Sequence, residues 1–228
     1  LTSAVYTADY NEVKAKGALT NSTRTAAQTD IAYFWTDNFG VQWNRAIREI
    51  VGQHVPRIGD RARLFALANL AGADALITAW DSKKHYFFWR PVTAIRNGEL
   101  DGNPDTAGDS EWQSLVNNPN YPDYTSGANN ITGAMTRTLA LFFGTDDMSF
   151  QVTSLAPLAV KKARTFARFS AAAQQSPRAL GREERPDDAH QEDYAGKEQQ
   201  DLRGIVEEEV DGAAKAAAKL AGVKKVLH

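Results

Sequence analysis

The sequence predicts an all-α protein, a helical bundle in one domain running through residues 1–228 with a charged irregular segment near 176–201. Three observations predict it. Small and apolar residues recur at gaps of three and four, above all at Phe65, Ala68, Gly72, Ala75 and Ala79, a stripe that lets a neighbouring helix come close. Helix start and stop residues bracket such segments at helical lengths. No convincing series of strands interrupts them.

In chain order, residues 5–18 and 25–38 have helical composition, separated by Thr20-Asn21-Ser22-Thr23, which supplies turn and N-cap chemistry. A third helix is expected over 41–54, stopping before Pro56. Gly59-Asp60 then introduces the longest periodic stretch, which reaches about Trp89. From 97 to 124 the chain turns to Gly, Asn, Asp and Pro, the vocabulary of a loop; one so long is functional or carries short helices. Helical pattern resumes at Ser126 and passes through Ile131, Met135 and Leu139 to a stop at Gly144. A further helix is expected over 154–175. Residues 176–201 are dense in charge and broken by Pro177 and Pro186, the mark of a solvated segment. The Ala- and Lys-rich stretch 206–227 has strong helix propensity.

A net charge of -2 and a pI near 6.1 give no long-range basic field, so nucleic acid is not an expected partner and any anion site must be local. The absence of cysteine removes disulfides, thiolate metal sites and a cysteine nucleophile. No run of about 18 apolar residues appears, so no membrane span is expected. The chain reads as soluble, compatible with secretion after loss of a leader, and homo-oligomerisation stays open. Asn21-Ser22-Thr23 and Asn130-Ile131-Thr132 match the glycosylation acceptor pattern, which acts only on an exposed site in a secreted chain.

Chemistry concentrates in two pieces. Lys83 and Arg90 stand seven residues apart, which on a continuous helix places them on one face, separated by roughly 10 Å at about 1.5 Å per residue. Arginine presents a planar fork suited to tetrahedral oxyanions, and lysine adds a point charge. Ser126-Gly127 opens a helix, where unsatisfied amides and the helix dipole also favour an anion. Between the cations, Tyr86, Phe87, Phe88 and Trp89 read as core and pocket-wall residues, and His85 as structural or solvent-facing.

The run Ala79-Trp80-Asp81-Ser82-Lys83 through Phe88-Trp89-Arg90-Pro91-Val92-Thr93-Ala94-Ile95-Arg96 resembles the first motif of the vanadium-dependent haloperoxidases and of their relatives in the type-2 phosphatidic acid phosphatase superfamily. That motif is a Lys, six residues, then Arg-Pro. Thr23-Arg24-Thr25-Ala26, Trp43-Asn44-Arg45 and Arg63-Leu64-Phe65-Ala66-Leu67 resemble the chloroperoxidase-like branch, and the likeness extends over residues 2–175. The family's second motif is Pro-Ser-Gly-His. Here Ser126 and Gly127 are kept, but Ala128 stands where the family has its acid-base histidine, a role worth about two to four orders of magnitude in rate. The third motif is an Arg with a His six positions later, and no pair at that spacing follows Ser126-Gly127. The resemblance implies His190 as the vanadate ligand, or as a phosphatase nucleophile, and Arg182, flanked by Arg178 and Arg185, as the completing cation.

Three functions follow from the resemblance. The first is oxidation of a halide by hydrogen peroxide at a vanadate held by Lys83, Arg90, Ser126, Gly127 and Arg182, with His190 as ligand and Lys83 polarising the peroxide. The second uses the same pocket for phosphate and hydrolyses a phosphate ester. The third keeps the scaffold to bind an oxyanion or a macromolecular partner without turnover.

Overall fold

The computed structural model describes residues 1–178. Helix α1 (Ala4–Gly17) starts where the Ser3 hydroxyl accepts the Tyr6 amide at 3.2 Å. The polar cluster after it serves the other end: Ser22 Oγ donates to the Ala15 and Lys16 carbonyls, and the Arg24 guanidinium donates to those of Lys16 and Ala18. Helix α2 (Ala26–Phe34) opens with a reciprocal capping box between Thr25 and Gln28. It stops earlier than expected, because Asn38 caps the next helix instead, its Oδ1 accepting the Val41 amide at 3.0 Å. Helix α3 (Phe39–His54) ends as Pro56 approaches.

Helix α4 (Ile58–Tyr86) is the longest element at 29 residues. Its buried stripe is Leu64, Ala68, Gly72, Ala75, Ala79 and Lys83, with Phe65 half-buried at the edge. This stripe packs on helix α6 (Gly127–Phe143), which presents Ile131, Met135 and Leu139. A Cβ at Gly72 would stand 2.7 Å from Met135 Cε, so the helices approach closely there because Gly72 has none. The stretch Ile58–Arg96 is long and apolar enough to cross a membrane by length and composition, and its inner side is committed to α6. Between α4 and α6 lie the short helix α5 (Pro91–Arg96), a 3-10 turn at Gly98–Leu100 and an extended loop.

After α6 the expected helix over 154–175 is not formed along its first half. Instead β1 (Phe150–Thr153) and β2 (Ala163–Phe166) pair antiparallel, with Phe150 opposite Phe166, and helix α7 (Phe169–Arg178) follows. The alternation Phe150, Gln151, Val152, Thr153 buries one face of β1, a period of two. Leu155, Leu158 and Val160, which give the segment its helical look, are exposed. Two carboxylates hold the hairpin down. Asp30 on α2 accepts the Val160 and Lys161 amides and pairs with Arg164, while Asp37 accepts the Leu155 amide and pairs with Arg45.

The main core gathers Phe34, Trp43, Ile47, Ile50, Leu64, Leu139, Val152 and Phe169 from α2, α3, α4, α6, the hairpin and α7. A smaller cluster, Tyr10, Ala94, Ile95 and Trp112, joins α1 to α5 and the loop.

Candidate functional site

The site forms where α4 stops. Phe87 takes a left-handed conformation, φ 47 and ψ 38, while its amide still donates to the Lys83 carbonyl at 3.1 Å. Arg90 is extended at ψ 157, as a residue before proline prefers, and Pro91 occupies the first turn of α5, where a missing amide costs nothing. The chain therefore turns between the two cations, and Lys83 and Arg90 do not share a helix face. That corrects the sequence expectation, and what the two cations share is the Tyr121 ring.

Both meet the loop turn Tyr121-Pro122-Asp123. The Lys83 ammonium, on a residue only 4% exposed, donates to the Pro122 carbonyl at 3.0 Å and to the Asp123 carbonyl. Arg90 Nε donates to the Tyr121 carbonyl at 2.7 Å, and its Nη1 stands 3.4 Å from Asp123 Oδ1. The Tyr121 ring lies beneath both, 4.7 Å from the guanidinium carbon and 5.4 Å from the ammonium, and leans on Trp80 at 4.8 Å between centroids. The Asp123 amide donates to the Phe88 carbonyl at 3.0 Å, fastening this turn to the one that ends α4.

Electrostatics follow from that crowding. Burial pulls the Lys83 ammonium below the usual lysine range, Asp123 opposes the shift and Arg90 adds to it. Desolvation raises the Asp123 carboxyl above the usual carboxylate range although Arg90 and Lys83 both pull it down. The two residues thus share one field.

Ser126 is the N-cap of α6, its Oγ accepting the Asn129 amide at 3.4 Å. Gly127 lies against α4, where a Cβ would sit 3.6 Å from Leu76 Cδ2. Ala128 follows in the first turn, half-buried and without a proton to offer. The far end of α7 returns to this turn, with Ser176 Oγ 3.5 Å from Asn129 Oδ1. Arg182 and His190 lie outside the described residues.

The aromatic run is not core. Phe87, in the left-handed turn, is 78% exposed, and Tyr86 and Phe88 are exposed as well; Tyr86 meets Tyr124 at 5.1 Å. Trp89 alone packs, against the smaller cluster. His85 is exposed beside Tyr86. Sequence reasoning missed Tyr121 and Asp123 as members of the site. Their signal is an aromatic and an acid flanking a proline just ahead of the Ser-Gly step, in a loop whose closure only the fold reveals.

Cations of these two kinds suit a tetrahedral oxyanion, and both meet one loop turn that ends three residues ahead of the α6 N-cap. An acceptor, Asp123, already stands among them. This fits anchoring by charge and leaves proton delivery to some group other than Ala128.

Comparison with known proteins bears on the family and the fold. The chain is 40% identical over 86 residues to the vanadium chloroperoxidase of Curvularia inaequalis, covering 33% of this chain and 14% of that protein. Its fold is similar to that of a bacterial vanadium-dependent iodoperoxidase, with a TM-score of 0.64 and 27% identity over 78% of this chain and 43% of the other. The chain thus spans less than half the length of either relative. Residues 63–180, more than half of the chain, match the family described as the VCPO second helical-bundle domain, and this region contains Lys83, Arg90, Ser126 and Gly127. The chain belongs to that helical-bundle family of the vanadium haloperoxidases.

Proposed function

We propose that this chain carries the oxyanion-anchoring part of a vanadate site and supports haloperoxidase-type oxidation. The observation that carries the reading is the meeting of Lys83 and Arg90 over the Tyr121–Asp123 turn. When bound, vanadate supplies the electrophilic centre at which hydrogen peroxide oxidises a halide to hypohalous acid. Arg90 would hold oxyanion oxygens through the guanidinium hydrogens that Tyr121 does not take. Lys83, whose ammonium burial holds below the usual lysine range, would stabilise negative charge developing on oxygen. His190 and Arg182 enter as ligand and third cation on sequence resemblance.

Vanadate binding followed by calorimetry, with bromide- and iodide-dependent halogenation of a phenol on the same preparation, tests this. Lys83→Ala and Arg90→Ala should each weaken vanadate about tenfold or more, the scale of a lost charged hydrogen bond, and abolish turnover. Wild-type protein that binds no vanadate, or variants that bind it equally well, would overturn the reading.

A second reading, an oxyanion binder without turnover, is favoured by Ala128. Halide oxidation to hypohalous acid consumes a proton, and a methyl group cannot bring one. Tight vanadate binding with no halogenation across a pH series selects it.

A further inference from the structure

We propose that Asp123 makes this anion site selective for oxyanions that still carry a proton, such as hydrogen vanadate, hydrogen phosphate or hydrogen arsenate, against fully ionised ones such as sulfate. The inference rests on the reading of Lys83 and Arg90 as an anion site and assigns to Asp123 a specificity role there.

The carboxylate is held in place from two sides. Its own amide is tied to the Phe88 carbonyl at 3.0 Å, and its own carbonyl accepts the buried Lys83 ammonium. Its side chain is 42% exposed, whereas the Arg90 side chain is 16% exposed, so the carboxylate forms the open edge of the pair. The contact is loose. At 3.4 Å between Nη1 and Oδ1 it exceeds the length of a strong charge-assisted hydrogen bond, about 2.7–2.9 Å, and a single nitrogen is engaged rather than a fork. Arg90 is therefore paired without being saturated, and an anion drawn to its remaining hydrogens must settle beside Asp123.

Two chemistries then diverge. A fully ionised oxyanion offers only acceptors to Asp123, and the two like charges face each other across a half-desolvated edge. An oxyanion bearing a hydroxyl turns that hydroxyl toward Oδ, and repulsion becomes a hydrogen bond from neutral O–H to carboxylate. Lys83 and Arg90 attract every anion, and between ions of equal charge, hydrogen phosphate and sulfate, the contact to Asp123 is what differs. At neutral pH phosphate, arsenate and vanadate retain a proton, and sulfate has none.

The test is competition calorimetry on the full 228-residue chain with inorganic vanadate, phosphate and sulfate, repeated on Asp123→Asn. Wild type should prefer phosphate and vanadate to sulfate by about ten- to hundredfold, the range of a hydrogen bond to a charged group. In Asp123→Asn the amide can donate to an ionised oxygen, so sulfate affinity should rise and that ratio collapse. A role confined to bracing Arg90 would instead weaken all three anions together and leave the ratio unchanged, which overturns the proposal. Should Asp123→Asn fold poorly, the wild-type ratio alone decides: sulfate binding as tightly as phosphate overturns the selectivity while leaving the anion site standing. Failure of all three anions to bind the wild type overturns the anion site itself.

Discussion

Ala128 and Asp37 show how much a single side chain decides in this protein. In the first turn of α6, Ala128 stands next to Gly127, five residues after Asp123, whose carbonyl accepts the Lys83 ammonium. Ala128→His should restore an acid-base group at that turn and raise halide oxidation by about two orders of magnitude, with little change in vanadate affinity, read by steady-state assay and calorimetry on one preparation. An unchanged rate would mean that protons are handled elsewhere. Asp37 concerns stability. Burial opposes its ionisation, but the Leu155 amide, the Arg45 guanidinium and the Asn38 amide outweigh burial and hold its carboxyl below the usual carboxylate range. A folded pKa lowered in this way gives stability that is complete above the unfolded value of about 4 and is lost as pH falls through the folded value. Asp37→Asn should cost about 2 kcal/mol at pH 7 in urea unfolding, and the deficit should shrink below about pH 4 as the wild-type carboxylate is itself protonated. At this scale Lys83, Arg90, Ser126 and Gly127 stand out in the sequence as candidates, because each belongs to a short motif with fixed spacing. Asp123 was not, since its meaning depends on a turn that folds back across more than 30 residues to Arg90.

Among the elements, the seam between α4 and α6 and the hairpin make opposite points. The small-residue stripe of α4 reads directly from the sequence, because a period of 3.6 sustained over many residues can belong only to a helix face. Ala75→Leu, placing a large side chain on that buried seam, should destabilise the protein by about 1–3 kcal/mol in thermal or urea unfolding. Ile77→Ser, on the exposed side of the same helix, should stay within about 0.5 kcal/mol of wild type; equal effects would mean that the seam is not where α4 is held. The hairpin was not legible. Each strand has four residues, too few for alternation to stand out, and Leu155, Leu158 and Val160 imitate a helical stripe while facing solvent. What fixes the segment is a pair of carboxylates over a hundred residues away, Asp30 and Asp37, and spacing within the segment says nothing of them.

For residues 1–178 taken together, the two apolar clusters imply unequal cohesion. The larger cluster draws on six elements, whereas α1 is held to the rest by Tyr10, by Trp112 and by polar ties to the loop. Those ties are numerous: the Tyr10 hydroxyl donates to the Ala107 carbonyl at 3.1 Å, Asn103 Nδ2 to Thr7 Oγ1 at 2.7 Å and Trp112 Nε1 to the Lys14 carbonyl at 3.0 Å. Burial, with the Asp101 carboxylate beside it, pushes the Tyr6 hydroxyl up to about 12. Trp112→Ala should accelerate amide exchange throughout α1 while leaving the middle of α6 protected, since the smaller cluster opens as a unit of its own. Exchange quickened equally in both helices would mean that the two clusters unfold as one. The same ties pin the loop whose far end supplies the Tyr121–Asp123 turn, and they join residues 93 to 102 positions apart in sequence. On a ribosome adding about 5–20 residues per second, α1 therefore waits roughly 5–20 s for the partners that will bury Tyr10. Through that interval the local ties that brace α1 include its Ser3 cap and the Ser22 and Arg24 clasp, so the polar residues at its ends bear on how safely the chain is made as well as on how it finally packs.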